Sequence, residues 1–337
     1  MKAFEIQDQF GLDSLKLAER PDPAPGAGQV LIKLRAASLN YRDLLMVKGQ
    51  YNPRLRLPLI PVSDGVGEVA AVGDGVSRAK VGDRVAGNFS QKWIAGEPAK
   101  AKLSASLGGP LDGMLAEYAM LHEEGVVQVP AHLTDEEAAT LPCAALTAWN
   151  SIRATGGMKA GDALLVQGTG GVSIFALQFA KMIGARVIIT SSSDEKLERA
   201  RELGASNTIN YKSNPDWEKQ VREITGGVGV DHIVEVGGAG TFAKSLRAIR
   251  IGGHISLIGN LSGNVADVSL TLILMQNIRV QGLLVGSREM FEAMNRAIEL
   301  HQMRPVIDRV FEFKDAVEAF KYMESGAHFG KICIRIG

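Results

Sequence analysis

Short apolar runs of strand length, broken by glycine, aspartate or proline, fill the first third of the chain. Val30-Leu31-Ile32-Lys33-Leu34 and Val66-Gly67-Glu68-Val69-Ala70-Ala71-Val72 are two of them, and their punctuation predicts strands joined by tight turns. Glycines recur every few residues from Gly65 to Gly87, so many corners with positive φ are expected, as in a small, strongly bent barrel. From about Leu164 the texture changes. Ala163-Leu164-Leu165-Val166-Gln167 reads as a strand, and Val172 to Ile183 carries apolar residues at helical spacing. Arg186 to Thr190 reads as a second strand and Asp194 to Leu203 as a second helix, with Asp194 expected to cap it and Gly204 to stop it. Further strands are expected at Asn207 to Tyr211, Asp231 to Val236, His254 to Ile258 and Ile278 to Val285. Nearly continuous apolar strands alternating with helices predict a parallel sheet covered on both faces. A helix is expected from Phe291 to Leu300, and Pro305 to Gly337 returns to short strands around one helix, Asp315 to Ser325. The pattern divides the chain into a β-rich part at 1–125, an alternating part at 126–286, and a C-terminal segment at 287–337 that resembles the first.

The length of 337 residues exceeds what one core usually supports, which agrees with two domains. Lysine plus arginine number 37 and aspartate plus glutamate 37, so no excess of positive charge points to nucleic acid or an anionic membrane. The expected partner is a small-molecule substrate. The opening MKAFEIQDQF lacks a long apolar stretch and a small-residue cleavage site, and no run approaches the length of a membrane span. With two cysteines, Cys143 and Cys333, one disulfide is arithmetically possible, and a reducing cytoplasm is the expected location.

Gly168-Thr169-Gly170-Gly171-Val172-Ser173 falls between the first strand and first helix of the alternating part. A diphosphate needs main chain to approach closely at a helix N-terminus, where free N–H groups and the positive dipole end converge. Gly168 permits the tight turn, Gly170 omits a blocking side chain, and Ser173 is small enough for close helix–strand packing. In this strand–turn–helix setting the pattern predicts dinucleotide binding. The end of the next strand, Thr190-Ser191-Ser192-Ser193, lacks the carboxylate that would accept from a free 2′-hydroxyl. Hydroxyls of Ser191 and Ser192 with the charge of Lys196 suit a 2′-phosphate, so NADPH is the expected cofactor. Lys196 also reads as an ordinary exposed helix charge. Gly237, Gly238, Ile258, Gly259 and Asn260 lie at the carboxyl ends of later strands, where open α/β sheets bind ligands.

Several motifs occur together with this turn. They are Asn40-Tyr41-Arg42-Asp43, Gly49-Gln50-Tyr51, Gly65-Val66-Gly67-Glu68-Val69, Val81-Gly82-Asp83-Arg84-Val85 and Thr147-Ala148-Trp149. In order and spacing the chain resembles the medium-chain dehydrogenase/reductase superfamily, in its zinc-independent branch of quinone oxidoreductases and enoyl reductases. The resemblance covers nearly the whole length. It implies a GroES-like β-barrel domain into which a Rossmann domain, a doubly wound parallel α/β sheet, is inserted. In zinc-dependent relatives the catalytic ligands stand at positions corresponding to Asn40, Ser63 and Cys143. Only Cys143 keeps a good zinc-binding side chain, Asp64 is a poor addition, and residues 86 to 120 hold no cysteine for a structural zinc. No zinc is therefore expected.

The resemblance also implies roles. Tyr51 matches the tyrosine that enoyl reductases of this branch carry near the nicotinamide, where its phenol could stabilise an enolate and pass a proton; the alternative is a loop aromatic with no proton role. Asn40 could donate its amide to the substrate oxygen, or only tie loop backbone together. Thr147 matches a threonine at the nicotinamide end, Tyr211 a tyrosine that contacts the adenosine phosphates, and Lys331 a residue that reaches the cofactor. Asp43 reads as orienting Arg42 or capping a helix beginning at Leu44, Cys143 as a packed thiol, and His254 as structural. The activity implied is NADPH-dependent reduction of quinones or α,β-unsaturated carbonyls. The alternatives are an alcohol dehydrogenase or ketone reductase working without zinc, and an NADPH-binding protein with little turnover. The apolar strand expected at Ile278 to Val285 is last in its sheet, and such an edge predicts a homodimer.

Overall fold

The change of texture along the sequence becomes a division of the chain. The computed structural model describes residues 1–337, and they separate into Met1–Leu146 with Gly286–Gly337, and Thr147–Val285. The expected division at 125 falls inside the first unit. Residues 126–146 stay there because Val126–Gln128 pairs with Arg84–Gly87, and the Cys143 N–H donates to Asp64 Oδ2 at 3.2 Å.

Gln29–Leu39 is the spine of the first unit. It pairs antiparallel with Asp64–Val72, Tyr118–His122 and Lys331–Arg335 within a seven-stranded sheet. Register shifts between Leu31/Ile32 and Leu34/Ala36 let one strand serve three neighbours by bending it. Val30, Ile32 and Leu34 feed one hydrophobic core and Ala37 and Leu39 another, the latter shared with Leu44, Val47 and Phe320. Gly67 has no substitute here, because a Cβ would lie 2.2 Å from Lys33 O. The C-terminal segment returns as expected, with Ile307–Glu312 and Lys331–Arg335 paired around the helix Ala316–Glu324.

The second unit is a six-stranded sheet, parallel throughout. Its order is Asn207–Asn210, Arg186–Ser191, Ala163–Gln167, Val230–Glu235, Ile249–Leu257, Arg279–Gly282. Chain order runs outward in both directions from the two central strands, so the topological switch point lies between Ala163–Gln167 and Val230–Glu235. The first central strand is buried at every residue, which is why it reads as a continuous apolar run. Leu165, Ile188, Ile233 and Ile255 pack with Trp217, Val221 and Leu246 of two crossover helices.

Some elements differ from expectation. Ser193, not Asp194, caps the helix Asp194–Glu202, its hydroxyl accepting from the Lys196 N–H at 3.3 Å. Serine at that position already has extended backbone, while Asp194 is the first helical residue. The last strand of the sheet is only Arg279–Gly282, and all four residues are exposed. The strand expected from His254 begins at Ile249. The helix expected from Leu44 begins at Tyr41, capped by Asn40. No helix is long and apolar enough to cross a membrane.

Candidate active site

In the second unit the glycine turn follows the central strand directly. Gly168 has φ +70°, a conformation side chains resist, and its N–H donates to Thr190 O at 2.8 Å. Gly170 caps the thirteen-residue helix Gly171–Ile183 in extended backbone. A Cβ on Gly170 would meet no protein atom within 4 Å, so neither packing nor φ demands glycine there. Glycine is an ordinary helix-capping residue, and the open space over it leaves room for a ligand against the main chain. Ser173 does what its small size predicts and more: its buried hydroxyl donates to Gln167 O at 2.7 Å, clasping helix to strand. Thr169 is buried, while Gly171 and Val172 are half-buried at the helix entrance. These features fit a dinucleotide diphosphate.

Ser191, Ser192, Lys196 and Tyr211 gather at the carboxyl ends of the two outer strands. Ser191 Oγ accepts from the Ser193 N–H at 3.3 Å, and Ser191 O accepts from the Tyr211 N–H at 3.1 Å. Tyr211 follows its strand and leaves its ring 41% exposed. On the other side of the switch point, Gly237, Gly238, Ile258, Gly259 and Asn260 form two turns in mutual contact. A Cβ on Gly238 would lie 2.7 Å from Asn260 Cα, and one on Gly259 would lie 2.6 Å from Val236 O. Thr147, the first residue of this unit, is buried in the helical segment Leu146–Trp149.

In the first unit a different set of groups comes together. Lys331 is 3% exposed, and its Nζ donates to Leu39 O and to Asn40 Oδ1, each at 2.6 Å. Asn40 Nδ2 donates to Ser63 Oγ at 3.3 Å, and Ser63 Oγ donates to Asp64 Oδ1 at 2.8 Å. The Asn40 N–H donates to Asp43 Oδ2 at 2.8 Å, and Arg42 Nη1 to Asp43 Oδ1 at 3.2 Å, so Asp43 both caps the helix and orients Arg42. The Arg42 guanidinium lies 5.5 Å from the Tyr51 ring centroid and 4.8 Å from that of Phe89. Tyr51 itself is 50% exposed. Val62, β-branched and fully buried, holds φ +75° just before Ser63. Such strain, about 1–3 kcal/mol, persists only where surroundings impose it. Gly113 supplies part of the constraint, because a Cβ there would stand 2.2 Å from Val62 O.

Burial raises the Asp64 carboxyl to about 6 against the opposing charge of Lys331, and burial raises Asp43 against Arg42. Burial also pushes the Cys143 thiol up, with Asp64 adding to it. The Asn40 carbonyl is engaged by an ammonium, and no three His, Cys, Asp or Glu side chains converge as a metal would require. These residues do not fit a catalytic zinc.

The sequence reasoning placed Asn40 and Lys331 in the site separately and missed that they touch. It also missed Gln167 and Glu235, fully or nearly buried polar residues ending the two central strands. The available signal was a polar residue directly after an apolar run, Gln167 after Leu164-Leu165-Val166 and Glu235 after Ile233-Val234.

Residues 26–131 match the alcohol dehydrogenase GroES-like domain family, and residues 171–299 the zinc-binding dehydrogenase family. A zinc-type alcohol dehydrogenase-like protein of Schizosaccharomyces pombe is 45% identical, covering 99% of each chain. An acryloyl-coenzyme A reductase of Sulfurisphaera tokodaii is 29% identical over 95% of this chain and 96% of its own. Among solved structures, a Sinorhizobium meliloti protein described as a candidate alcohol dehydrogenase superposes with TM-score 0.93 at 40% identity, covering 99% of this chain and 98% of that one. An NAD-dependent alcohol dehydrogenase gives 0.91 at 34%, covering all of both chains. A mycobacterial protein complexed with NADPH gives 0.83 at 29%, again over all of both. The sheet order, the glycine turn and these full-length likenesses together place the chain in the medium-chain dehydrogenase/reductase superfamily of oxidoreductases, to which it belongs.

Proposed function

We propose that the protein is an NADPH-dependent reductase of quinones or α,β-unsaturated carbonyls that transfers hydride without zinc. The observation that carries this reading is the turn Gly168–Gly171 at the head of a thirteen-residue helix beside the switch point, with glycine at position 170 that the fold itself does not need. Bound NADPH supplies the hydride. Main-chain N–H groups of the turn would hold the diphosphate, and Ser191, Ser192 and Lys196 would meet the 2′-phosphate. Thr147 would bond the carboxamide, and Tyr211 would lie against the adenosine phosphates. Lys331 would fix Asn40 within the first unit. When hydride arrives at the electron-poor carbon, negative charge moves to the conjugated oxygen and needs a donor. Tyr51 and Asn40 are the groups proposed for it, the phenol of Tyr51 then passing its proton to the enolate and regaining one from solvent, to which it is half exposed.

An alcohol dehydrogenase or ketone reductase is the second reading, favoured by the descriptions of the Schizosaccharomyces and Sinorhizobium relatives. A cytoplasmic, dimeric enzyme completes the proposal. The edge strand Arg279–Gly282 is exposed throughout, and Leu270, Leu274 and Met275 are 73%, 76% and 74% exposed. A second copy pairing along that edge would cover them.

The test is the loss of NADPH absorbance with a quinone, an enone and an aldehyde, after binding is established by quenching of tryptophan fluorescence. Oxidation with the quinone or enone supports the first reading, and turnover of the aldehyde alone supports the second. Binding with no oxidation leaves a cofactor-binding protein of little turnover. Tyr51→Phe should lower kcat and leave NADPH affinity unchanged; undiminished kcat on the best substrate removes Tyr51 from the mechanism.

A further inference from the structure

Glu235 ends the second central strand, is 0% exposed, and accepts five hydrogen bonds on its two oxygens. Oε1 takes the Gly237 N–H at 2.9 Å, the Gly238 N–H at 3.0 Å and the Thr241 hydroxyl at 2.5 Å. Oε2 takes Gln167 Nε2 at 2.7 Å and the Ser245 hydroxyl at 2.5 Å. Gln167 is the residue immediately before the glycine turn, and its Oε1 accepts from the Val236 N–H at 3.3 Å. The turn fixed this way holds the next one: the Ala239 N–H donates to Gly263 O at 2.9 Å and the Ser262 N–H to Gly237 O at 2.7 Å. The carboxyl group thus joins the ends of the two central strands, and main-chain bonds carry the link to the turn after a third strand.

We propose that Glu235 is a positioning residue for the nicotinamide half of the cofactor site, acting through Gly237 and Gly238; this rests on the dinucleotide reading. A carboxylate is acceptor-only, so it can take all five donors, whereas an amide turns one end into a donor facing donors. Full burial removes water as a substitute partner, so the turn itself must shift. There is little slack for a partial adjustment. Gly238 holds φ +82°, and a Cβ on Gly237 would lie 2.2 Å from Thr241 Oγ1. The adenosine end is held by separate bonds, Lys196 N–H to Ser193 Oγ and Tyr211 N–H to Ser191 O, none of them part of this network. Damage at Glu235 therefore reaches the nicotinamide half directly through Gly237 and Gly238, and the adenosine end only through the side chain of Gln167.

The experiment measures calorimetric affinities of the full chain for NADPH and for its adenosine fragment 2′,5′-ADP, in the wild type, Glu235→Gln and Thr241→Val. Glu235→Gln should weaken NADPH about tenfold or more and leave 2′,5′-ADP within about twofold. Thr241→Val, which removes one donor and keeps side-chain shape, should give the same split at about threefold, and it carries the test if Glu235→Gln does not fold. Equal weakening of both probes, or unchanged NADPH affinity in the folded variants, overturns the positioning role. A wild type that binds neither probe nor NADH overturns the dinucleotide reading and this inference with it, an outcome read before any variant is made.

Discussion

At the glycine turn of the second unit the groups offered to a ligand are main-chain atoms, the N–H groups at a helix start. In the first unit they are side chains held by one another, Lys331 on Asn40, Asn40 on Ser63 and Ser63 on Asp64. The difference decides what a substitution does. A main-chain cradle can be blocked by added atoms without disturbing any existing bond. A buried network of charges loses stability when one member is removed, because the others remain charged and unpaired. Ligand binding and folding are therefore separable at the glycine turn and entangled in the side-chain network of the first unit.

The sharpest way to break this comparison is Lys331→Met. It leaves Leu39 O, Asn40 Oδ1 and the fully buried Asp64 without their cation, while Asp43 keeps Arg42, so a loss of about 3–5 kcal/mol of stability is expected. Denaturant unfolding checks this, and an unchanged midpoint would show that the network does not hold the first unit together.

The next largest effect contrasts the units through pH. Burial, with Arg279 and His232 adding repulsion, pulls the His254 imidazole from 6.5 down to about 4. The unfolded chain then binds a proton near pH 6.5 that the folded chain refuses until about 4. This contribution to stability is present above pH 6.5 and is lost as pH falls toward 4, by about 3 kcal/mol at 1.36 kcal/mol per pH unit. Asp64 has the opposite sign. Its folded carboxyl keeps a proton up to about 6 that the unfolded chain releases near 3.8, so its contribution is present below 3.8 and lost as pH rises through 6. His254→Gln should flatten the acid side of a melting-temperature profile taken between pH 4 and 7. If the acid slope survives that substitution, His254 is not its source.

Gly170→Val comes third. The side chain would enter space no protein atom fills, so NADPH should weaken about a hundredfold, roughly 2.7 kcal/mol, while stability falls by about 1 kcal/mol from the poorer helix cap. Calorimetry beside thermal unfolding separates the two numbers, and a larger loss in stability than in binding contradicts the separability claimed for this turn. The smallest expected effect is Lys196→Ala, about 1–2 kcal/mol on NADPH with NADH spared, on the scale of a charged hydrogen bond. Equal losses for both cofactors would refute a contact with the 2′-phosphate.

Much of the second unit could be read from the chain because its signals are local. A fully buried strand must be apolar at each residue, a phosphate turn must be glycine-rich, and both patterns lie within a few consecutive residues of Gly168. Signals failed where neighbours decide. Asp194 and Ser193 are both good helix caps, and only the backbone conformation at Ser193 selects between them. The apolar run from Ile278 to Val285 suggested a long strand, but its partner Ile249–Leu257 pairs with four residues of it.

The sequence alone determined the class of fold and the place of the glycine turn, since both follow from residue type and short spacing, and its family resemblance implied the poor zinc-ligand set at Asn40, Ser63 and Cys143. Only the tertiary structure decided that Lys331 bonds Asn40 across 291 positions of chain, and that Glu235 joins the ends of the two central strands. Such contacts are set by how strands are ordered and registered in a sheet, and no local pattern records which distant residue will lie alongside.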